Sequence, residues 1–519
     1  MKKIFLTIAA TMLALTNMAQ DIYQIAELST SDLSGTARYV GMGGAMGALG
    51  GDLGIMGSNP AAIGLYRRSD VAATASLVAR PGSREFDGKK PTYVSFDQVG
   101  FVYNWDADGS AIKFVNVGFN YRKHHDFNQL LNAENADLEN SGYASQTWQL
   151  ADLCNAWEGV ENATPLAQLA YEAYLLGDDG QGNYSAYNAL GNSYGKARWG
   201  SNQAYDFNIS FNVLDQYYFG LTATAYNVSQ KSYMFYSERL LDAEYNEDGR
   251  YDMDNESKLT GTGFDVKLGF IVRPVKESNF KIGLTLTTPT WYELSCRNDL
   301  RLASYTDTYG DVIVAPFFCD YDYNLRTPWK VGLSLGNTFF NRLAVGAEYE
   351  FADYSSCSVS YDDDYYDNWV WDWDARSTSK DKELNRQADK YLKGTHTLKL
   401  GAELMITPNL FVRGGYNYVS SAFDKDAWLN HFINSASVDA ATTTDYLNLG
   451  GINRFAAGLG LKFGKFYADA AWLYKHQRGT LYAFYAAEDP SEPICVNACP
   501  AKRLSLNKSQ AMLTIGYRF

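Results

Sequence analysis

The chain has 519 residues, with 45 Lys and Arg against 59 Asp and Glu, which gives a formal net charge of -14. This acidic balance excludes a general binder of nucleic acids or of anionic membrane surfaces, because such a protein needs an excess of basic residues. Outside the first twenty residues, no apolar run approaches the roughly 18 residues that a membrane-spanning helix requires. Aromatic residues make up 15% of the chain, and 44 Gly stand beside only 12 Pro, a composition that favours strands and tight turns.

The first twenty residues are predicted to be an export signal. Lys2 and Lys3 form a positive start, residues 4–15 form an apolar stretch, and Ala19 offers a small residue at a cleavage position. We therefore expect cleavage close to residue 20 and a mature protein that works outside the cytoplasm.

Residues 21–70 show no strand pattern and are predicted to form a compact plug, or hatch. Ten of the 30 residues from Gly35 to Gly64 are Gly, which is too many for a stable helix. The same stretch is too apolar for a disordered tail, because its aliphatic side chains need cover from water. Asn59 and Pro60 add a fixed turn. A flexible Gly-rich linker is the alternative interpretation.

The rest of the chain, residues 71–519, repeats stretches of about ten residues in which every second side chain is apolar. At the C-terminus, Leu513 and Ile515 share one face, whereas Thr514 and Arg518 lie on the other. Charged residues keep to one face throughout. Counting these stretches predicts fourteen strands, which begin near Val71, Pro91, Lys113, Ala204, Tyr217, Leu259, Asn279, Tyr323, Arg342, Thr395, Asn409, Asn453, Phe466 and Arg503.

Short and long connections alternate strictly between the predicted strands. Residues 214–216 and 464–465 are short connections, whereas 126–202, 232–258 and 362–394 are long ones. An outer-membrane barrel has an even strand number, tight periplasmic turns and long extracellular loops. A soluble β-sandwich needs no such alternation. The predicted fold class is therefore all-β, a 14-stranded antiparallel transmembrane β-barrel in the Gram-negative outer membrane, with the N-terminal hatch inside its lumen.

Several stretches resemble the long-chain fatty acid transporter family of Gram-negative outer membranes, the FadL/TodX type. The hatch ends in Asn59, Pro60 and Ala61 just before the first strand, which is the most specific point of resemblance. The later stretches TPWKVGLSL and RFAAGLGLKFGKFYADAAW and the terminal Phe519 are also similar. The resemblance spans the mature chain. It implies a monomer that captures hydrophobic molecules outside the cell and releases them sideways into the membrane through a gap at a kink in the third strand.

The resemblance also implies a function and partners. The function is transport of hydrophobic compounds, such as long-chain fatty acids, by passive diffusion. The expected partners are a hydrophobic small molecule, outer-membrane lipid and lipopolysaccharide, and the barrel-assembly machinery during biogenesis, with no nucleic acid. Two alternatives stay open, because some similar barrels act as protein-binding shuttles or anchors in secretion and some relatives carry a haem-receptor label.

Two groups of residues are candidates for the transport route. The lateral gate is placed at Asn116, Gly118 and Asn120 in the third strand, because a Gly between two Asn inside a strand is typical of a bulge or kink. An ordinary Gly that faces the lumen is the alternative. The substrate pocket is placed between the hatch and the lumen wall, around Met42, Met46, Leu49, Ile55 and Met56.

Other features of the outer loops are interpreted as structural. Two helical patterns at about residues 145–177 predict a lid or an apolar entrance over the barrel. The Asp-rich residues 362–374 are taken as a solvated loop, since their spacing matches no EF-hand. His124 and His125 end the third strand, but no paired ligand spacing accompanies them, so neither a metal nor a cofactor is expected. No nucleophile motif indicates an enzyme.

Six Cys in an exported protein allow up to three disulfides. All six fall on or near the predicted outer loops. The two pairs that we predict are Cys296 with Cys319 and Cys495 with Cys499, each within a single loop.

Overall fold

The computed structural model describes residues 21–107, 109, 111–135, 145–362, 378–484 and 501–519. Within them, fourteen antiparallel strands form a closed barrel. The first and last strands pair from Asp70–Arg518 to Ala79–Ser509, which closes the sheet. Closure pairs the two terminal strands of the sheet with each other, as a β structure in lipid requires. The predicted fold class and strand number are confirmed, and the predicted export signal lies outside the described residues.

The elements are labelled in chain order. The barrel strands are β1 (Asp70–Ala79), β2 (Thr92–Asp106), β3 (Ile112–Asp126), β4 (Asn188–Val213), β5 (Tyr217–Leu241), β6 (Glu247–Val272), β7 (Lys281–Thr287 and Trp291–Thr306), β8 (Phe317–Arg326 and Lys330–Phe339), β9 (Leu343–Asp353), β10 (Gly394–Thr407), β11 (Leu410–Val419), β12 (Tyr446–Phe463), β13 (Phe466–Tyr482) and β14 (Lys502–Arg518). The α-helices are α1 (Ile22–Ser29), α2 (Ala37–Gly41), α3 (Gln146–Ala156), α4 (Pro165–Glu172), α5 (Lys382–Tyr391) and α6 (Ala436–Asp439). Short 3-10 helices lie at Leu53–Gly57, Pro60–Leu65, Val160–Asn162 and Tyr354–Ser356, and accessory strands at Gln129–Asn135, Leu176–Asp178, Tyr184–Ala186, Gly310–Ile313, Ser358–Asp362 and Thr378–Lys380.

Outward-facing side chains form an apolar band around the barrel. On β6 the outward residues Phe270, Leu268 and Phe264 are apolar, and Phe264 is 47% exposed. Farther along the same face the sequence turns polar, with Lys258 and Glu256 exposed. The hydrocarbon core requires such a band, since an outward Lys or Arg at the bilayer midplane costs about 2–4 kcal/mol. The protein is therefore an outer-membrane barrel.

Tight turns join the strands at the periplasmic end of the barrel. Gly464 in the two-residue turn 464–465 has a φ of 64°, which Gly adopts without strain. At the other end, the predicted loop 232–258 is mostly strand, because β5 continues to Leu241 and β6 starts at Glu247. Buried and exposed residues still alternate there, but the outward residues of β6 are charged from Arg250 to Lys258. On β5 the outward Phe235 is followed by Ser237 and Arg239, so these extensions lack a continuous lipid-facing pattern.

The hatch, residues 21–69, lies inside the lumen and joins β1 at the periplasmic end of the barrel. Arg38 ties it to the wall of β10, since its Nε and Nη2 atoms donate to the two carboxylate oxygens of Glu403, each at 2.8 Å. A bidentate pair of this kind fixes the orientation of both side chains. The apolar side chains of the hatch form a core that includes Leu33, Val40, Met42, Met46, Leu53, Ile55, Met56 and Ile63.

Glycines line the barrel wall where the hatch rests on it. A Cβ atom added at Gly346 would lie 2.0 Å from the carbonyl oxygen of Ala45, and one added at Gly415 would lie 2.1 Å from the amide nitrogen of Gly43. Packed atoms do not approach so closely, so the hatch backbone lies directly against the wall backbone. Similar contacts occur at Gly220, Gly269 and Gly401.

Loop 2, residues 127–187, carries α3 and α4 above the barrel. The Ser145 hydroxyl accepts a hydrogen bond from the first turn of α3, and Thr164 does the same for α4, in which Pro165 takes the first position. Among the described residues, no helix is long and apolar enough to cross a membrane. The buried faces of α3 and α4 pack against the tall ends of β5 and β6 through Leu150, Leu153, Leu166, Leu169, Tyr236, Leu240, Tyr251 and Met253.

We expect Gly415→Val to destabilise the folded barrel. The new Cβ meets the Gly43 backbone at 2.1 Å, so the hatch must move or the wall must bend, at a cost of about 1–3 kcal/mol. The neighbouring Gly414 has no atom within 4 Å of its added Cβ, which makes Gly414→Val the matched control. Thermal unfolding of the purified proteins, followed by the loss of the compact band in semi-native gel electrophoresis, should show a lower midpoint for Gly415→Val alone. Equal midpoints would contradict tight hatch packing.

Candidate ligand cavity and lateral notch

A cavity of about 300 Å³ lies in the lumen above the hatch. Tyr23 and Glu27 on α1 lie along its lower side, loop 6 (residues 420–445) contributes to the upper side, and barrel strands form the walls. Leu259 on β6 is one of the wall residues, and it is farther from the periplasm than the lipid-facing Phe264. The cavity is thus at the extracellular side of the membrane band.

Aromatic and aliphatic side chains line one part of this cavity. The ring of Tyr23 stacks on Phe423 with centroids 4.9 Å apart and lies 5.5 Å from the ring of Tyr446. Such surfaces favour an apolar ligand, because each Å² of apolar area removed from water contributes about 25 cal/mol. The other apolar lining residues in this part are Leu429, Leu447, Leu449 and Ile452.

Paired charges line the rest of the cavity. Lys196 on β4 donates to Asp445 Oδ2 at 2.7 Å, and Arg198 on the same strand donates to Glu27 on α1. Burial alone would raise the pKa of Glu27, but the charges of Arg198 and His125 outweigh burial and lower that pKa to about 2. Glu27 is therefore ionised at neutral pH, and it ties α1 to the barrel wall.

Asp32, just after α1, ties the hatch to three further strands. Its carboxylate lies 3.4 Å from His125 Nδ1, 3.5 Å from Arg454 Nη2 and 3.8 Å from Lys475 Nζ. It also accepts a hydrogen bond of 3.1 Å from the backbone amide of Asp126. These groups belong to β3, β12 and β13, so any displacement of α1 must break contacts with several parts of the barrel at once.

The residues that were predicted to line the substrate pocket lie inside the hatch. Met42, Met46, Ile55 and Met56 are at most 1% exposed and belong to the core of the hatch itself, and Leu49 packs against that core. None of the five lines the cavity described above. Their need for cover is met by neighbouring hatch side chains and by the wall, not by a ligand.

The Asn-Pro-Ala motif anchors the lower end of the hatch. Asn59 caps the 3-10 helix that starts at Pro60, since its Oδ1 accepts from Ala61 N at 3.1 Å. Its Nδ2 donates to the carbonyl of Gly47 at 2.7 Å and joins two parts of the hatch. A Cβ added at Gly220 on β5 would lie 2.3 Å from Pro60, so the motif also rests on the wall. Its role in the structure is to hold the hatch in place.

The hydrogen-bond ladder between β2 and β3 ends before either strand does. Gln98–Arg122 is the last pair toward the outer end. Beyond it, residues 92–96 of β2 stay paired with β1, and Lys123, His125 and Asp126 of β3 stay paired with β4, but the two segments do not pair with each other. We call this unpaired interval the notch.

Backbone groups of β3 beside the notch bond to the hatch. The amide of Asp32 donates to the carbonyl of His124 at 2.9 Å, and the hydroxyl of Ser34 donates to the carbonyl of Lys123. His124 is the extra residue of a bulge, since Lys123 pairs with Gln203 and His125 with Asn202. A bulge bends its strand and interrupts pairing locally.

The outer face of the notch lies in the lipid-facing band. Val94 is 79% exposed, and the ring of Phe96 stacks on Tyr121 at 5.7 Å. Loop 1, residues 80–91, crosses above the notch toward β4 and β5, where Lys89 lies 4.1 Å from the ring centroid of Trp199. Loop 1 therefore covers the extracellular end of the notch, and the notch faces lipid below this loop.

A polar cluster separates the notch from the cavity. The Asp126 carboxylate accepts hydrogen bonds from Lys508 at 3.0 Å, from Arg80 at 3.3 Å and from the hydroxyl of Tyr93. Asp126, Arg80 and Lys508 also line the cavity. These side chains lie between the cavity and the notch. We call them the partition cluster.

The predicted kink at Gly118 is wrong. Gly118 pairs regularly with Val102 on β2 and with Asn208 on β4, and the flanking Asn116 and Asn120 are fully buried. A Cβ at Gly118 would lie 2.5 Å from Met56 Cε, so this Gly leaves room for the hatch. The irregularities of β3 lie near its two ends, at Lys113 and at His124.

Cys296 and Cys319 do not form the predicted disulfide. Both are buried, Cys296 on β7 and Cys319 on β8, and neither is bridged to another Cys. Cys296 is opposite Tyr321, so the two Cys are diagonal neighbours in the ladder. Diagonal Cα atoms are about 7–8 Å apart, beyond the roughly 4.4–6.8 Å that a disulfide spans. Cys495 and Cys499 lie outside the described residues, and their pairing stays a prediction.

Sequence reasoning missed the partition cluster. Its four members come from loop 1, β2, β3 and β14, up to 428 residues apart, so no local motif joins them. The sequence contains one indication of this cluster, because Asp126 lies at the end of a predicted membrane strand among apolar and basic residues. A carboxylate at such a place needs a partner.

We expect Arg198→Gln to loosen α1. The change leaves the Glu27 carboxylate partly buried without its guanidinium, at a cost of about 1–3 kcal/mol. Hydrogen–deuterium exchange of the full-length protein should show faster exchange of the amides of residues 22–29. Arg297→Gln is the matched control, because it removes an exposed Arg–Asp pair on the outer face. Unchanged exchange in both variants would show that the Glu27 pair does not hold α1.

Neither a protein-family model nor a curated protein sequence matches this chain. Among solved structures, a FadL homologue from Pseudomonas aeruginosa aligns with a TM-score of 0.51 and 13% identity, over 94% of this chain and 99% of that chain. The toluene transporter TbuX of Ralstonia pickettii aligns with a TM-score of 0.47 and 13% identity, over 94% and 99%. TodX of Pseudomonas putida aligns with a TM-score of 0.47 and 12% identity, over 94% and 99%. The chain has the fold of the FadL-type barrels.

Proposed function

We propose that the protein takes up apolar or amphipathic compounds from outside the cell, holds them in the cavity above the hatch and releases them sideways through the notch. The observation that carries this proposal is the position of the cavity, which ends on the hatch below and on the partition cluster beside the notch. A ligand in the cavity is thus separated from lipid by side chains and from the periplasm by a packed domain.

Release through the notch requires only small movements of the protein. The strands on either side of the notch are already unpaired, so no backbone hydrogen bond between them has to break. Lys123 spans the notch to the hydroxyl of Ser95 at 2.5 Å, and Lys side chains rotate freely when released. An apolar compound then enters the bilayer down its own free-energy gradient. Passive diffusion is sufficient, and no energy source is required.

The substrate class follows from the mixed lining of the cavity. An alkyl chain or aromatic ring fits the Tyr23, Phe423 and Tyr446 surface. Long-chain fatty acids have a suitable chain and stay candidates for uptake. The compounds carried by the structural neighbours are known for those proteins alone, and the titles of two of them name toluene transport.

We expect that a crosslink across the notch stops uptake. Ser95→Cys with Lys123→Cys, joined by a short thiol-reactive crosslinker, should place a covalent bridge across the notch that cannot move aside as the Lys123 side chain can. Uptake of radiolabelled dodecan-1-ol by cells that express the protein should fall to the level of cells without it.

The matched control joins the same two strands below the notch. Val99→Cys and Tyr121→Cys occupy directly opposite positions of the existing ladder, so a link there leaves the notch unchanged. Uptake should persist in this variant and should return in the first variant when a cleavable crosslinker is cut. Uptake that survives the notch crosslink would rule out lateral release.

A further inference from the structure

Every cationic side chain that lines the cavity, among the described residues, already has a carboxylate partner. Lys196 pairs with Asp445 at 2.7 Å and Arg198 with Glu27. The other three cations are Arg80 and Lys508, which share Asp126 at 3.3 and 3.0 Å, and Lys475, which lies 3.8 Å from Asp32.

The histidines of the lining add no spare positive charge. Burial lowers the pKa of His431 in loop 6 to about 4, so this ring is neutral at pH 7. His125 lies 3.4 Å from Asp32 and 3.8 Å from Glu27, so its ring faces two carboxylates. Asp21, at the start of α1, adds one more acidic group to the lining. The cavity therefore offers an anion no uncommitted cation.

Two buried oxygen atoms of the lining lack a hydrogen-bond donor. Asn255 on β6 is 4% exposed and Asp445 is 9% exposed, and the Oδ1 atom of each has no partner in the structure. A buried acceptor without a donor costs free energy, which a ligand hydroxyl or amide N–H recovers by bonding to it.

We propose that the cavity selects uncharged amphiphiles that carry hydroxyl or amide N–H groups, and discriminates against anions such as free fatty acids. The inference rests on the proposed function and names its substrate class. The apolar part of such a ligand lies against Tyr23, Phe423 and Tyr446, and its donors reach the open oxygens of Asn255 and Asp445. A carboxylate in the same place faces acidic groups and paired cations, and it loses its water without gaining a counter-charge.

A ligand series of constant chain length tests the charge preference. Dodecan-1-ol, dodecanamide and dodecanoic acid are titrated into the full-length protein in lipid nanodiscs at pH 7, with quenching of Trp fluorescence as the readout and empty nanodiscs as the blank. The alcohol and the amide should bind at least about tenfold more tightly than the acid, as expected when one ligand leaves a charge unpaired. Tighter binding of the acid would overturn the inference and leave the proposed uptake function intact. Failure of all three to bind would count against the proposed function itself.

Asp445→Asn should reverse the discrimination. The change keeps an acceptor oxygen for the alcohol but frees Lys196, so dodecanoic acid should bind at least about fivefold more tightly, since a charge-assisted hydrogen bond becomes available. Asp320→Asn is the matched control, because it frees Arg297 on the outer face, away from the cavity. A gain in the control as large as in Asp445→Asn would mean that net charge alone acts, and an unchanged acid affinity in Asp445→Asn would refute selection by the paired lining. If Asp445→Asn does not fold, as judged by semi-native electrophoresis, the ligand series on the unmodified protein decides.

Discussion

The direct contact between the backbones of hatch and wall blocks the lumen on the periplasmic side of the cavity. Gly346 and Gly415 allow the hatch to approach more closely than any side chain would permit, and the buried pair Arg38–Glu403 holds it there. A pore through the barrel to the periplasm would require the hatch to move away from the glycines of the wall. It would also require buried ion pairs to separate, and breaking each such pair costs about 3–5 kcal/mol. The strands beside the notch share no backbone hydrogen bonds there. In the function that we propose, release through the notch therefore needs less structural change than displacement of the hatch.

The acidic, hydrophilic composition of the chain and its membrane location are consistent. Outward residues such as Phe264 and Leu268 supply the apolar band, while the lumen and the tall outer hairpins contain the charges. Charges in the lumen do not make it a general anion trap, because they are matched in pairs such as Lys196–Asp445. Because the charges of the lining are paired, they can be buried. Acceptor atoms of the lining remain available for hydrogen bonds. This combination distinguishes the cavity from both a water-filled pore and a purely apolar pocket.

The sequence predicted the elements that depend on local patterns and missed those that depend on distant contacts. Period-two alternation located fourteen strands, because lipid and lumen impose opposite demands on successive side chains. The sequence did not predict the extensions of β5 and β6 beyond the membrane. There, each face of the strands contacts either water or loop 2, and neither face contacts lipid. The apolar residues around Met42 signalled a need for cover, but sequence cannot tell cover by a ligand from cover by the hatch itself. Gly118 had the pattern of a kink, and only the position of Met56 reveals its packing role.

The position of the notch follows from the same hatch that closes the barrel. Asp32 and Ser34 bond to backbone groups of His124, Lys123 and Asp126 at the height where β3 stops pairing with β2. Buried backbone groups need partners, and here the hatch supplies them in place of the neighbouring strand. The bulge at His124 is therefore set by residues about ninety positions earlier in the chain. The same segment continues from α1, which lies along the cavity. One short segment of the hatch therefore contacts both the cavity and the strand that borders the notch.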